Sequence, residues 1–193
     1  MAGNVATAEA FSDLEEWGAD IIRVGVGGGS ICSTRLQTGH GIPTLQSVID
    51  CAKVAKHALI VADGGIKNAG DVVKSLAAGA DFAMLGSLLA GTDESPGEVI
   101  QALDGTMTKV YRGMASVEAQ MNWRGKTSSL EGISATVPYK GPVQETLSLL
   151  RQNIKSGLSY SGARSIKEFR SKAKMVLQTP AGINESYTHI LRR

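Results

Sequence analysis

The chain has 193 residues, 42% hydrophobic and 20% charged, with a formal net charge of +2, the composition of one ordinary globular domain able to bury a sizeable core. So small and scattered a charge argues against a nucleic-acid partner, and no apolar run approaches the roughly 20 residues of a membrane span. With only Cys32 and Cys51 and no basic flank followed by an apolar core at the N-terminus, the expectation is a cytoplasmic protein with free thiols.

In chain order, Gly3-Asn4-Val5 opens the sequence and a helix follows over 7–17, with Thr7 as N-cap, Ala10, Phe11, Leu14 and Trp17 on one face, and Gly18 as the stop. Residues 20–24 read as a buried strand. It delivers the chain into a stretch over 25–41 with six glycines, four hydroxyl side chains and Cys32. Gly27, Gly28 and Gly29 can take positive φ and bring backbone groups close to a ligand or ion. A second helix over 45–56, a strand over 58–62 ending on Asp63-Gly64-Gly65, a third helix over 69–78 and a strand over 81–85 ending on Gly86-Ser87 complete a repeated strand, loop and helix rhythm.

Apolar strands joined by helices imply a parallel sheet. Each strand ends on a polar or glycine-rich loop at the same edge, which is the habit of a (β/α)8 barrel. Asp-Gly-Gly and Gly-Ser stand where such barrels hold phosphate through backbone N–H groups. From Glu98 the rhythm breaks. Residues 99–110 read as a hairpin about Asp104-Gly105, and a segment of poor periodicity running to about Thr136 reads as an active-site flap. Helices over 143–155 and 165–174 and an extended tail over 179–189 close the chain. The divisions are thus 1–97 for the strand–helix units, 98–141 for hairpin and flap, and 142–193 for the C-terminal helices and tail, within a single domain.

Gly-Gly-Gly-Ser-Ile-Cys-Ser-Thr (27–34), Ala-Asp-Gly-Gly-Ile (62–66), Met-Leu-Gly-Ser (84–87), Glu-Ser-Pro-Gly-Glu (94–98), Tyr-Arg-Gly-Met (111–114) and Val-Pro-Tyr-Lys-Gly (137–141) together resemble the IMP dehydrogenase and GMP reductase family. The resemblance covers nearly the whole chain. It implies a (β/α)8 barrel acting on a purine nucleotide, GMP or IMP, with a nicotinamide cofactor, and a catalytic Cys32 that attacks C2 of the purine. A thiolate is the strongest ordinary side-chain nucleophile, and inward-pointing N–H groups favour it. The resemblance further implies that Ser30, Gly64, Gly65, Gly86, Ser87 and Tyr111 hold the 5′-phosphate region. Asp63 would take the ribose hydroxyls, the backbone of Gly113 and Met114 the base, and Glu131 the ring nitrogens. A monovalent-cation site, potassium being the candidate, would use carbonyls of Gly27, Gly29 and Cys32, with Glu185 and Ser186 helping from a neighbouring subunit of a homotetramer.

Within the family the spelling is closest to the reductases. Only about fourteen residues lie between Ser116 and Glu131, without the Arg-Tyr pair that activates water in dehydrogenases, and Thr34 and Glu131 are both present to act on a departing ammonia. This implies reductive deamination of GMP to IMP with NADPH. Tyr111-Arg112-Gly113-Met114 and the tail Gly182 to Tyr187 are nearer dehydrogenase spelling, so NAD-dependent oxidation of IMP stays open, as does a catalytically idle module that binds purine nucleotides. By the same resemblance the chain reads from the fifth barrel strand through the eighth. It is thus expected to be the C-terminal half of a barrel, completed by more of the same chain or by a separate polypeptide.

Overall fold

A computed structural model describes residues 1–128 and 132–188. Four parallel strands, β1 (Ala2–Val5), β2 (Ile21–Val24), β3 (Leu59–Asp63) and β4 (Phe82–Met84), lie side by side in sequence order. Helix α1 (Ala8–Glu16) begins where the Thr7 hydroxyl accepts the Ala10 N–H at 3.3 Å, and α3 (Thr44–Val54) follows Pro43. Between them comes a single short turn of helix, α2 (Thr34–Thr38), which the sequence does not announce. Helix α4 (Ala69–Ala77) is capped by the Asn68 side chain on the Asp71 N–H.

Period-two alternation decides which face of the sheet is covered. Ile22, Val24, Ile60 and Ala62 join Phe11, Val48, Cys51 and Val72 in one apolar core beneath the helices. The alternate positions, in register as Ile21 with Leu59, Arg23 with Val61 and Val61 with Phe82, occupy the opposite face. There Leu59 is 40% and Phe82 52% exposed, while Val61 between them is buried at 4%. Among the described residues β1 and β4 each pair on one side only.

A second sheet of three antiparallel strands combines the expected hairpin, β5 (Val99–Gln101) and β6 (Met107–Arg112), with β7 (Ser134–Pro138). The flap is therefore more ordered than its periodicity suggests. It contains α5 (Val117–Arg124), capped by Ser116, and supplies β7. Helix α6 (Val143–Tyr160) outruns its expected end by five residues and packs with α7 (Ile166–Lys172) on α4. The tail is not extended throughout, because Thr179 caps and Pro180 opens α8 (Pro180–Glu185). No described helix is long and apolar enough to cross a membrane.

Trp17 is the clearest departure in the core. It stands just past the last turn of α1 and is 78% exposed, while Glu15 is buried on that helix at 2%. The Glu15 carboxylate accepts the N–H groups of Lys56, His57 and Ala58 at 2.7 to 3.2 Å, which satisfies the turn leading into β3. Burial by itself raises the carboxyl's pKa. The three N–H donors, with His57 beside them, outweigh that and hold it below the ordinary value.

Candidate active site

The loops that leave β2, β3 and β4 meet β6 and the flap at one edge of the sheet. The exposed Cys32 lies between β2 and α2, and its thiol donates to the Thr34 hydroxyl at 3.1 Å. Arg35 holds this loop together. Its guanidinium donates to Val26 O at 3.1 Å and Ile42 O at 2.7 Å, tying the two ends of the excursion. A Cβ at Gly27 or Gly41 would stand 2.5 Å from the Arg35 side chain, so these two glycines form the slot in which Arg35 lies. Nothing in the sequence tells that the exposed Arg35 folds back onto its own loop.

The cysteine loop is also docked on the flap. Ile133 N–H donates to Ile31 O and Gly113 N–H to Ile133 O, both at 3.2 Å, and Cys32 bridges Gly132 across the same seam. Of the groups expected to meet a base, Gly113 thus has its N–H on Ile133, and its carbonyl accepts from Ser116 N at 3.0 Å. Met114 is 75% exposed beside it. Glu131 lies outside the described residues.

Several of the phosphate-type residues converge. The Ser30 and Tyr111 hydroxyls are 3.5 Å apart, and a Cβ on Gly86 would meet the Tyr111 oxygen at 3.1 Å. Ser87 follows Gly86 into the turn 86–90, closed by Leu89 N and Ala90 N on Gly86 O. The loop of Gly64 and Gly65 packs against Gly28 and Gly29, backbone on backbone.

Asp63, at the end of β3, is aimed by two partners that the sequence reading does not identify. Its Oδ2 accepts Asn4 Nδ2 at 2.7 Å and Arg23 Nη2 at 2.6 Å, while Oδ1 accepts from none of the described residues. Asn4 further donates to Gly25 O at 2.8 Å, linking β1 to the start of the glycine loop. A carboxylate so held offers one oxygen to a pair of hydroxyls and leaves the other fixed.

Of the five groups that the resemblance assigns to a monovalent cation, two are engaged in local hydrogen bonds. Gly29 O accepts the Cys32 N–H at 3.2 Å. The Ser186 hydroxyl is engaged with Gly182 O and Gln178 Nε2 inside the α8 segment. Among the described residues no three His, Cys, Asp or Glu side chains cluster as metal ligands.

The geometry defines a class first: a parallel α/β protein whose strand-end loops place a free thiol, a held carboxylate and a glycine and hydroxyl cradle at one edge. The model of the IMP dehydrogenase / GMP reductase domain matches residues 1–189, and the chain belongs to that family, whose members are oxidoreductases. It is 47% identical over 201 residues to a GMP reductase of Leishmania major, covering 98% of this chain and 41% of the relative. Identity to the inosine-5′-monophosphate dehydrogenase of Bacillus subtilis is 48% over 199 residues, covering 98% and 41%. The crystal structure of Trypanosoma brucei GMP reductase in complex with guanosine 5′-monophosphate superposes with a TM-score of 0.92 at 44% identity, over 97% of this chain and 40% of that one. The chain thus spans about two fifths of the length of these relatives.

Proposed function

We propose that this chain carries the nucleotide site and the covalent chemistry of a purine nucleotide oxidoreductase that reduces GMP to IMP and ammonia. The observation that carries the reading is the Cys32 thiol on the Thr34 hydroxyl at 3.1 Å, at the sheet edge shared by Asp63 and the Ser30, Tyr111 and Gly86 cluster. Cys32 as thiolate forms a bond to C2 of GMP. The 2-amino group leaves as ammonia, taking up a proton, and a thioimidate joins the purine to sulfur. Thr34 and Glu131 handle that proton, Asp63 Oδ1 takes the ribose hydroxyls, and the Gly86-Ser87 turn with Ser30 and Tyr111 holds the phosphate. Bound NADPH would supply the hydride that adds to C2, after which the carbon–sulfur bond breaks and the thiolate returns.

The sheet fits half of a closed (β/α)8 barrel. Supporting this are the parallel order β1 to β4, a partly uncovered face on which Leu59 and Phe82 are exposed, and edge strands β1 and β4 without outer partners among the described residues. Further strands, from more of the same protein or a second polypeptide, would cover that face and supply the rest of the cofactor site.

A second reading, oxidation of IMP with NAD, is favoured by the equal likeness to a dehydrogenase. Absorbance at 340 nm, read on the chain combined with the further barrel strands it needs for turnover, separates the two. Loss of signal with GMP plus NADPH, and none gained with IMP plus NAD, supports the reductase, whereas the reverse pattern overturns it. An idle binding module would give neither signal while still binding nucleotide.

A further inference from the structure

The sequence Val137-Pro-Tyr-Lys-Gly141 has no role in the chemistry above, yet its lysine reaches the nucleotide cradle from behind. Lys140 Nζ donates to Ser87 O at 3.1 Å and Leu88 O at 3.0 Å, across 53 and 52 residues of sequence. Those carbonyls belong to the turn 86–90. The Ser87 and Leu88 N–H groups donate to none of the described residues, and the Gly86 end of the turn abuts Tyr111. The Ser87–Leu88 peptide therefore has an ammonium at its carbonyl and an N–H on its other side that is unpartnered among the described residues, next to the equally open Ser87 N–H.

Lys140 is itself firmly mounted. Its N–H donates to Gly91 O at 2.8 Å, and Asp93 N–H donates to Gly141 O at 2.9 Å. The buried Lys109 grips the other side of this strap, donating to Thr92 O at 2.7 Å and Asp93 O at 3.1 Å. Glu94 accepts the Val143 N–H at 2.8 Å where α6 begins. This second, antiparallel unit thus fixes the position of an ammonium that sets the orientation of a loop leaving the parallel sheet.

We infer that Lys140 is a positioning residue for the 5′-phosphate, orienting the Gly86-Ser87-Leu88 amides toward the anion without touching it; this rests on the nucleotide-binding reading above. Lys140 completes the two carbonyls and adds a positive charge behind the cradle, so its contribution is specific to ligands that carry a phosphate.

The test compares nucleotide with nucleoside in the intact protein. Replacing the ammonium in Lys140→Met keeps most of the stem length. It is expected to weaken GMP and IMP binding by about 10-fold, the scale of hydrogen bonds to a charged group. Guanosine and inosine affinity and the melting temperature should stay near wild type, and Lys140→Arg should recover most of the nucleotide affinity. Equal weakening of nucleotide and nucleoside would assign Lys140 to general folding and overturn the inference, as would unchanged GMP and IMP affinity. A wild-type protein that binds guanosine and GMP equally would refute phosphate positioning while leaving a purine site in place. One that binds neither GMP nor IMP would refute the nucleotide reading and this inference with it.

Discussion

Substituting Gly132→Ala tests whether the flap must be docked on the cysteine loop for turnover. The added Cβ would lie 2.7 Å from Ser116 N and 2.9 Å from Ala115 C. Both are backbone atoms, so no rotamer change relieves the contact, and overpacking of this kind costs about 1–3 kcal/mol. To escape it the segment must retreat by several tenths of an ångström. The two bonds that dock it, Ile133 to Ile31 and Gly113 to Ile133, are already 3.2 Å long, at the far end of the ordinary range, and each is worth about 0.5–1.5 kcal/mol. Losing the two docking bonds therefore costs about 1–3 kcal/mol, which predicts a fall in kcat/KM of roughly 10-fold to 10²-fold. The core around Phe11, Ile22 and Val48 is elsewhere, so the melting temperature should hardly move. Steady-state kinetics and a thermal melt of the same preparation check both halves. Near-wild-type turnover, or a collapse of the melting temperature in step with activity, would refute the reasoning.

Cys32→Ser is expected to abolish turnover and leave GMP affinity nearly intact, since phosphate and ribose groups come from other loops; a variant keeping more than a few per cent of kcat removes Cys32 as nucleophile. Glu131→Gln should slow GMP deamination by about 10²-fold if the carboxylate shares in ammonia departure, and a near-normal rate would speak for a base-binding role instead. Glu15→Gln should destabilise the fold by about 1.5–3 kcal/mol at neutral pH by weakening three bonds to a charged acceptor. Because the folded pKa of Glu15 lies below its ordinary 4.5, its stabilisation is present above that value and fades as pH falls through the folded pKa. Melting curves of the two proteins should therefore converge in acid, and a gap that persists or widens there would contradict the linkage.

The strand and helix rhythm was legible because strands buried in a parallel sheet read as unbroken apolar runs, and the glycine loops mark their ends. Trp17 misled because an aromatic at helical spacing resembles a core residue, although it stands one position beyond the helix. Glu15 could not be recognised in its place, since its partners are 41 to 43 residues away. Helix α5 is short and without a clear apolar face, so its sequence marks are only the Ser116 cap and the Gly125 stop, and α8 was hidden although Thr179-Pro180 is a helix-start signal. At the candidate site, spelling singles out Cys32, Thr34, Ser30 and Tyr111, and the structure places Cys32 beside Thr34 and Ser30 beside Tyr111. Asn4, Arg23, Arg35 and Lys140 do not stand out, because each acts through a contact to a carbonyl or carboxylate, within its own loop for Arg35 and between distant segments for the others.

The uncovered face of the parallel sheet leads to the last prediction. Leu59 and Phe82 are about half exposed, and completing their burial would add on the order of 1 kcal/mol each. The unpaired edges of β1 and β4 would gain more, since every backbone group left open there seeks a partner. The Arg23 and Asp63 pair lies on the same face, with Arg23 Nε buried and unpartnered among the described residues. A covering surface must therefore be mixed, apolar over Leu59 and Phe82 and polar near Arg23. A second copy of this chain would bring another arginine and aspartate pair and a duplicate cysteine site, which suits that requirement less well than a different set of strands. The 193-residue chain purified alone is accordingly expected to self-associate and to lack turnover. Adding the further strand–helix units proposed above, in one chain or as a separate polypeptide, should yield a species of defined size that is active, and Phe82→Asp should impair that recovery. A monomeric, cooperatively melting 193-residue chain with full turnover would show that the open face needs no complement.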